Sequence, residues 1–444
     1  SPTAMSATGP MRGLQMFITD VRNCQTKEQE QARVDKELAN IRTKFKAGAK
    51  LTDYDRKKYC WKLLYIYMLG YEVEFGHMEA VNLMSATTYP EKQVGYMVTT
   101  VLLNESHEFI RLVINSIQKD LTSRNENFQC LALNAISNFG GKEFAEALAN
   151  DVMRVLTNST CRPVVRKKAA LCLLRLYRKT PDVISSDTWA PKMLGLMDER
   201  DPGVLLGLMS LLYALALGDP AGYEVLVPKV VRVLERLTQR AGETPAEYTY
   251  YGLPSPWLQV KCMKVLQCYG TPEDPLLKQN LLGCLHKIVT GSEAAKNVNK
   301  NNAVHGILFE AITLITQLDA PYELLGKCIQ SLGKFIAVKE PNIRYLGLEK
   351  MGRLSAAGQR ATGSAGREIV EAVKEQQTQV VASLRDPDIS IRRRALDLLY
   401  NICDASNSQQ VVSELLQYLV TADFSIREEL AIKTAILAER FAPS

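Results

Sequence analysis

A short motif that recurs along the chain constrains its fold more than any other feature. Each copy has a β-branched residue, then arginine or lysine, then apolar residues at helical spacing. The clearest copies are VVRKKAALCLLRLY (164–177), WLQVKCMKVLQCY (257–269), NIRYLGLEKMGRL (342–354), SIRRRALDLLYNI (390–402) and SIREELAIKTAIL (425–437). With weaker copies the motif returns about every 40 residues, the period of HEAT and armadillo repeats. We therefore predict an all-α fold, a right-handed superhelical solenoid of HEAT/armadillo-like helical repeats.

The predicted helices are separated by short breakers that contain proline or glycine, such as TPD (180–182) and ERDPG (199–203). Two interruptions are longer. The aromatic segment 239–257 either packs onto the superhelix, which we favour, or forms a peptide-binding edge. The small, polar segment 355–368 is expected to be a flexible loop.

Nothing in the chain has the composition of a linker between domains. We therefore predict that residues 11–444 form a single α-solenoid, and that residues 1–10 are a disordered leader or an expression remnant. The last residues, AERFAPS, do not form the polar cap that a solenoid needs at its end. We expect the chain to be the N-terminal part of a longer array.

No motif or composition signal indicates catalysis. The ten cysteines and four histidines are scattered, without a CxxC pair, whereas a metal site needs clustered ligands. Nucleotide-binding and hydrolase motifs are absent, and no apolar run reaches the roughly 18 residues of a membrane helix. We predict a non-enzymatic scaffold without cofactor or metal, whose cysteines are reduced and buried.

Positive charge is concentrated near the start of the chain. Between residues 42 and 62, eight basic residues stand against Asp53 and Asp55, an excess equal to the net charge of +6 of the whole chain. The basic residues are Arg42, Lys44, Lys46, Lys50, Arg56, Lys57, Lys58 and Lys62. Because the rest of the chain is close to neutral, this pattern indicates one local anionic partner.

Three of these cations, Arg56, Lys57 and Lys58, lie in the first turn of a predicted helix. The helix dipole disfavours cations at this end, where the first backbone N–H groups also lack partners. A phosphate group bound between the lysines and the N–H groups would reverse that disadvantage. Tyr54 and Tyr59 would add hydroxyl donors, so we predict a phosphate site at this helix tip.

The residues alone leave several partners open. A compact terminal cluster suits a phosphoinositide headgroup at a membrane surface, although a merely solvated helix end remains an alternative. A nucleic-acid-binding solenoid would repeat basic residues along its length, as Arg166, Arg344, Arg392 and Arg427 partly do; nearby acidic residues balance them, so we predict no nucleic-acid partner. A further alternative is a HEAT-type scaffold that binds another protein in its concave face, as in nuclear transport or phosphatase assembly.

Long segments of the chain resemble the adaptin family, the large chains of clathrin adaptor complexes. The resemblance runs from Met11 to the C-terminus and is carried by segments such as KELANIRTKFK, LLYIYMLGY, FGHMEAVNL, EYTYYGLPSPWLQVK and ADFSIREELAIKTAILAE. The opening MRGLQMFITDVRNC and the RKKY sequence are more similar to the α than to the γ branch. The resemblance implies a trunk that holds a small σ subunit and assembles with β and μ subunits in endocytosis, in the cytosol and at clathrin-coated pits on the cytoplasmic face of the plasma membrane.

The resemblance also implies two sites. The first binds phosphatidylinositol 4,5-bisphosphate, and in it Arg56 stands where the family usually has lysine. Its residues would be Arg12, Lys44, Tyr54, Arg56, Lys57, Lys58, Tyr59 and Lys62. The second binds acidic dileucine cargo tails, and Arg22 would contribute to it together with σ. The family's hinge and appendage, which bind clathrin and accessory proteins, have no counterpart in these 444 residues.

Overall fold

The computed structural model describes residues 11–46, 51–104, 107–291, 297–360 and 364–442. In this part of the chain helices follow one another almost without interruption, so the predicted all-α solenoid is confirmed. The predicted leader, residues 1–10, lies outside the described residues. By its internal contacts the chain divides into two compact units, Ser1–Ala214 and Leu215–Ser444.

The helices up to Gly218 are α1 (Arg12–Arg22), α2 (Lys27–Lys46), α3 (Asp53–Met68), α4 (His77–Met84), α5 (Tyr89–Leu102), α6 (Ile110–Leu121), α7 (Glu126–Phe139), α8 (Lys142–Thr157), α9 (Pro163–Lys179), α10 (Ser186–Leu196) and α11 (Pro202–Gly218). The later helices are α12 (Pro220–Tyr223), α13 (Val227–Gln239), α14 (Pro256–Leu266), α15 (Pro275–Thr290), α16 (Val298–Gln317), α17 (Tyr322–Ile336), α18 (Pro341–Arg360), α19 (Ser364–Lys374), α20 (Gln377–Ser383), α21 (Ile389–Ile402), α22 (Ser408–Thr421) and α23 (Phe424–Arg440). Short 3₁₀ turns lie at Pro181–Val183, Glu224–Leu226, Ala241–Glu243 and Ala246–Tyr248, and two strands are β1 (Thr249–Tyr250) and β2 (Leu253–Pro254).

Most helices pack mainly against the next helix in the chain and the next but one, and α18 also packs against α21. In the first unit α9 contacts α8 and α7, and α5 contacts α4, α3 and α7; in the second, α15 contacts α13, α16 and α17. The buried side chains of α9 form a helical stripe, Val165, Ala169, Cys172, Leu173 and Leu176. The periodic apolar residues of the repeat motif therefore form the core.

The recurrent arginine of the repeat motif makes tertiary contacts. The Arg344 guanidinium donates to the carbonyl oxygen of Val338, 2.9 Å away, in the turn before its helix. Arg166, Arg392 and Arg427 make the same kind of bond. Three of these arginines also pair with an acidic residue about one repeat further on. These pairs are Arg166 with Glu199, Arg344 with Asp386 and Arg392 with Asp423.

The side chains of Arg166, Arg344 and Arg392 are only 11 to 15% exposed. They are therefore structural contacts, neither solvated residues nor an open basic track. The nucleic-acid alternative needs all four arginines on a free surface, and of the four only Arg427 is exposed.

The segment 355–368 differs from the expected flexible loop. Helix α18 continues to Arg360 and α19 begins at Ser364. Ser355 is completely buried, and a Cβ atom added to Gly358 would lie 2.9 Å from Ile369 Cγ2. The small residues that resemble a loop in the sequence allow two helices to approach closely.

The aromatic segment 239–257 forms a small antiparallel hairpin in which Tyr250 pairs with Leu253. Tyr251 and Ser255 have positive φ angles of 47° and 39°, a conformation that side chains other than glycine seldom adopt. Pro254 is buried, whereas Tyr251 and Trp257 are about half exposed. The hairpin packs onto its unit through one side only.

The described helices include none long and apolar enough to cross a membrane. All ten cysteines are free thiols, and six of them are buried. Burial raises the pKa of Cys172 and of Cys328 to about 12, so these thiols stay protonated at neutral pH.

Candidate anion-binding site at the starts of helices α1 and α3

Helix α3 begins with a side-chain cap. The Thr52 hydroxyl oxygen accepts a hydrogen bond from the backbone N–H of Asp55, and the hydroxyl donates to the Asp55 carboxylate at 2.9 Å. Asp53 and Asp55 place negative charge in the first turn, where the helix dipole favours it. The α3 tip is therefore stabilised by its own residues, which the expectation of an open, electropositive tip did not include.

Apolar packing fixes the orientation of α3. Ile66 packs with Phe17 of α1 and Val34 of α2, while Cys60 and Leu64 pack towards α4 and α5. The helix is thus enclosed by four neighbours. Its basic residues consequently project either between these helices or from its exposed first turn.

Each of the four α3 cations predicted for the site pairs with a carboxylate. Three of the carboxylates belong to neighbouring helices: Glu37 of α2, Glu79 of α4 and Glu91 of α5. The pairs are Arg56 with Glu79 (2.6 Å) and Asp53 (3.2 Å), Lys57 with Glu91 (2.5 Å), Lys58 with Asp55 (2.8 Å), and Lys62 with Glu37 (2.6 Å). The excess of positive charge seen in the sequence is therefore largely compensated in the folded chain.

Hydrogen bonds lower the pKa values of two of these carboxylates, Asp55 and Glu37. Hydrogen bonds from Lys58 and Thr52 hold the pKa of Asp55 below its usual value. Burial alone would raise the pKa of Glu37, but hydrogen bonds from Lys62 and Arg33 outweigh it and lower that pKa. The bond to Glu79 raises the pKa of Arg56. The cluster is therefore a set of charged pairs.

Lys57 and Lys62 are the most deeply buried of the predicted cations, at 7% and 6% exposure. Tyr59 is also buried; its ring lies 5.9 Å from the Lys62 ammonium and contacts Phe45 edge to face. Arg56 and Lys58 are intermediate, with side chains about a quarter exposed. Burial thus divides residues that the sequence presents as one run.

Helix α1 begins in this region without a side-chain cap, as α4 and α5 also do. Its N-cap residue, Met11, makes no side-chain hydrogen bond, and its first turn holds no acidic residue. A Cβ atom added to Gly13 would lie 3.6 Å from Cδ of Lys58, so the lysine stem passes beside this turn. The first N–H groups of α1, which no described side chain caps, and the Lys58 side chain therefore lie close together, a juxtaposition that the sequence did not reveal.

Three further predicted residues are exposed here: Arg12, Lys44 and Tyr54. Arg12 and Lys44 make no ion pair with any described residue, and the Lys44 charge helps to lower the pKa of Asp55. The Tyr54 ring lies 5.8 Å from the ammonium groups of both Lys57 and Lys58. These residues form an open rim around the paired cations.

Arg22 lies apart from this rim, in the last turn of α1. Ten residues separate it from Arg12, about 15 Å along a helix. It is exposed, and within the described chain it forms no ion pair.

The described residues also hold no group of three side chains suited to binding a metal ion.

Sequence reasoning missed Glu37, Glu79, Glu91 and the start of α1. The three glutamates lie 25, 23 and 34 residues from their partners, and no local pattern joins them to the basic run. The only local signal was the position of Glu79 and Glu91 in the first turns of their helices.

Comparison with known proteins finds the same family by two routes, a family model and individual relatives. The family described as the adaptin N-terminal region matches residues 30–444. The chain is 58% identical over 433 residues to AP-2 complex subunit alpha-1 of Arabidopsis thaliana, covering 98% of this chain and 42% of that protein. It is 47% identical over 447 residues to AP-2 complex subunit alpha-2 of Dictyostelium discoideum, covering 99% and 44%. The chain thus spans less than half the length of these curated relatives.

Among solved structures, the chain is similar to one described as a homology model of the full-length AP-3 complex in an intermediate open conformation. The TM-score is 0.56 at 20% sequence identity, and the match covers 86% of this chain and 64% of that chain. At this identity the similarity shows the fold alone.

Proposed function

The chain belongs to the adaptin N-terminal region family, and from this membership we propose that it is a non-enzymatic scaffold, part of the trunk of a clathrin-adaptor large chain in endocytosis. It would assemble with the small σ subunit and with β and μ subunits. It would act in the cytosol and on the cytoplasmic face of the plasma membrane, at clathrin-coated pits. The alpha subunits of AP-2 complexes among its relatives support this assignment.

The scaffold would attach to membranes that contain phosphatidylinositol 4,5-bisphosphate. The observation that carries this proposal is the uncapped start of α1 beside Lys58, with Arg12, Lys44 and Tyr54 exposed around it. Backbone N–H groups and flanking cations are the donors that a phosphate group requires. The other predicted residues lie beneath this rim, where they would hold the exposed residues in position. They are Arg56, Lys57, Tyr59 and Lys62.

The attachment would be weak. A basic residue near an anionic surface contributes about 1 kcal/mol, and among the residues predicted for this site only Arg12, Lys44 and Lys58 can make that contribution without breaking a pair between helices. About 3 kcal/mol corresponds to a millimolar or weaker interaction. Stable recruitment therefore needs further contacts from the other subunits or from cargo, through avidity.

The second proposed site would bind acidic dileucine cargo tails, with Arg22 and the σ subunit as its two parts. The exposed guanidinium of Arg22 could pair with the acidic residue of such a tail. Because about 15 Å of helix separates Arg22 from Arg12, the two proposed sites can be altered independently.

Vesicle co-sedimentation at fixed ionic strength tests the membrane site. The chain is compared on vesicles with phosphatidylinositol 4,5-bisphosphate and on charge-matched phosphatidylserine vesicles. We expect a preference for the phosphoinositide, and about fivefold weaker binding for Arg12→Gln and for Lys44→Gln, since each removes about 1 kcal/mol.

Arg111→Gln is the matched control, because Arg111 is an exposed arginine on α6 and is not one of the residues of the proposed site. Arg22→Gln should bind vesicles normally but should weaken the binding of a dileucine peptide to the complex with σ. Equal binding to both vesicle types, or equal losses in Arg12→Gln and Arg111→Gln, would contradict the proposed headgroup site.

A further inference from the structure

The cations at the start of α3 already have anionic partners inside the molecule. Glu79 and Glu91 lie in the first turns of α4 and α5 and pair with Arg56 and Lys57. These side chains are 9 to 27% exposed. A phosphate group that approaches this region thus meets two carboxylates that occupy the cations it would bind.

The two pairs differ from the pair of Lys62 with Glu37. Glu37 also accepts a hydrogen bond from Arg33 at 2.9 Å, and both Lys62 and Glu37 are at most 8% exposed. That three-residue group joins α2 to α3 below the surface. Arg56 and Lys57 lie nearer the rim, one helical turn from Asp53 and Tyr54, so their partners are the ones a ligand could displace.

An ion pair and a bound phosphate cannot both make full use of one ammonium group. Lys57 has a single charge and three donors, and its ammonium group donates a hydrogen bond to the Glu91 carboxylate. The negative charge of Glu91 also repels an incoming anion directly. Both effects act in the same direction and lower the affinity for a phosphate-bearing ligand.

We propose that Glu79 and Glu91 are built-in competitors for the ligand, which set the affinity of the site by holding Arg56 and Lys57 in internal ion pairs. A phosphate group gains contacts with Arg56 and Lys57 only if it breaks these pairs, and for this reason the paired site binds weakly. The inference rests on the proposed headgroup function and adds two acidic residues that regulate it.

The test compares Glu91→Gln with the unaltered chain on vesicles that contain phosphatidylinositol 4,5-bisphosphate. Glutamine keeps the size of glutamate but removes its charge, so Lys57 becomes available to the ligand. We expect about fivefold tighter binding, the effect of one further cation near an anionic surface. A parallel titration with soluble inositol trisphosphate separates recognition of the phosphates from attachment to the lipid surface.

Two additional variants keep the test decisive. Loss of the partner of a buried lysine is destabilising, so the melting temperature of Glu91→Gln is measured first. Glu79→Gln is the milder alternative, because Arg56 is more exposed than Lys57 and keeps its second partner, Asp53. Glu72→Gln removes an exposed glutamate that has no ion pair among the described residues, and it reports the general effect of one charge.

Tighter binding of folded Glu91→Gln or Glu79→Gln than of Glu72→Gln would support the inference. The same affinity in all three variants, or weaker binding in a folded Glu79→Gln or Glu91→Gln protein, would overturn it. If every protein binds phosphoinositide and phosphatidylserine vesicles equally, the headgroup function fails. In that case the affinities of Glu79→Gln and Glu91→Gln for either vesicle, compared with the affinity of Glu72→Gln, still test whether the two glutamates compete with an anionic ligand.

Discussion

At the scale of single residues, the partner of a cation decides its role. Lys44 and Lys57 are both lysines of the same basic run, but Lys44 is exposed, whereas Lys57 is buried against Glu91. An exposed cation can meet a ligand with little cost. A buried, paired cation first stabilises the fold, and it is costly to separate from its partner.

The pair of Lys374 and Asp404 provides a test at this scale. Burial would raise the pKa of Asp404, but hydrogen bonds from Lys374 and Ser406 outweigh it and hold that pKa at about 2. Because the folded-state pKa lies below the ordinary value of 3.8, the stabilisation is complete above about pH 4 to 5 and is lost as the pH falls towards 2.

We therefore expect Asp404→Asn to lower the melting temperature at pH 7 and to lose this difference from the unaltered chain near pH 2. Thermal unfolding followed by circular dichroism at several pH values measures the effect. Asp182→Asn, at an exposed position, is the control and should change little. A constant deficit at every pH would show that the Asp404 charge does not contribute.

At the scale of secondary-structure elements, helices α22 and α23 leave apolar side chains uncovered. Leu416 and Val420 lie one turn apart on α22 and are 51% and 81% exposed, and Phe424, at the start of α23, is 93% exposed. Ile432 and Ile436 repeat this pattern on α23. Exposed apolar surface of this kind favours association with other molecules.

We expect the chain to self-associate through this surface at micromolar concentrations. A Val420→Gln/Phe424→Gln variant should be more monomeric in sedimentation equilibrium, while its unfolding free energy changes by less than about 1 kcal/mol because the side chains are exposed. Leu276→Gln, an exposed leucine on α15, serves for comparison. If the variant and the unaltered chain associate equally, other surfaces are responsible.

At the scale of the whole molecule, packing between near neighbours in the chain determines how stability is distributed. Helices contact mainly the next one or two elements, so a repeat array behaves almost one-dimensionally. The prediction that residues 11–444 form one continuous solenoid remains a proposal beside the two compact units. Both descriptions imply that a substitution in one helix changes the stability of that helix and its near neighbours only.

Arg166→Ala tests this distribution of stability. It removes the bond to the Leu156 carbonyl and leaves Glu199 without its arginine, which should cost about 3 kcal/mol. Hydrogen exchange should accelerate in α8 to α10 and stay unchanged in helices more than two elements away. Arg154→Ala, at an arginine whose side chain is 80% exposed, should have little effect. Uniform acceleration along the chain would indicate a single cooperative unit.

The sequence by itself determined the class of fold and the place of the basic cluster. Helical periodicity and breakers such as ERDPG act over a few residues, so the repeat and the stripe from Val165 to Leu176 can be read directly. The family membership has the same basis, because it rests on the order of residues along the chain.

Only the tertiary structure decided which cations an anionic ligand can contact. Glu37, Glu79 and Glu91 are brought to α3 by the packing of α2, α4 and α5, and Lys58 is brought to the start of α1 in the same way. Electrostatic pairing depends on distance in space, whereas a sequence pattern records only distance along the chain. The run from Arg56 to Lys62 therefore marked where the candidate site lies, and helix packing divided it into an exposed rim and a paired interior.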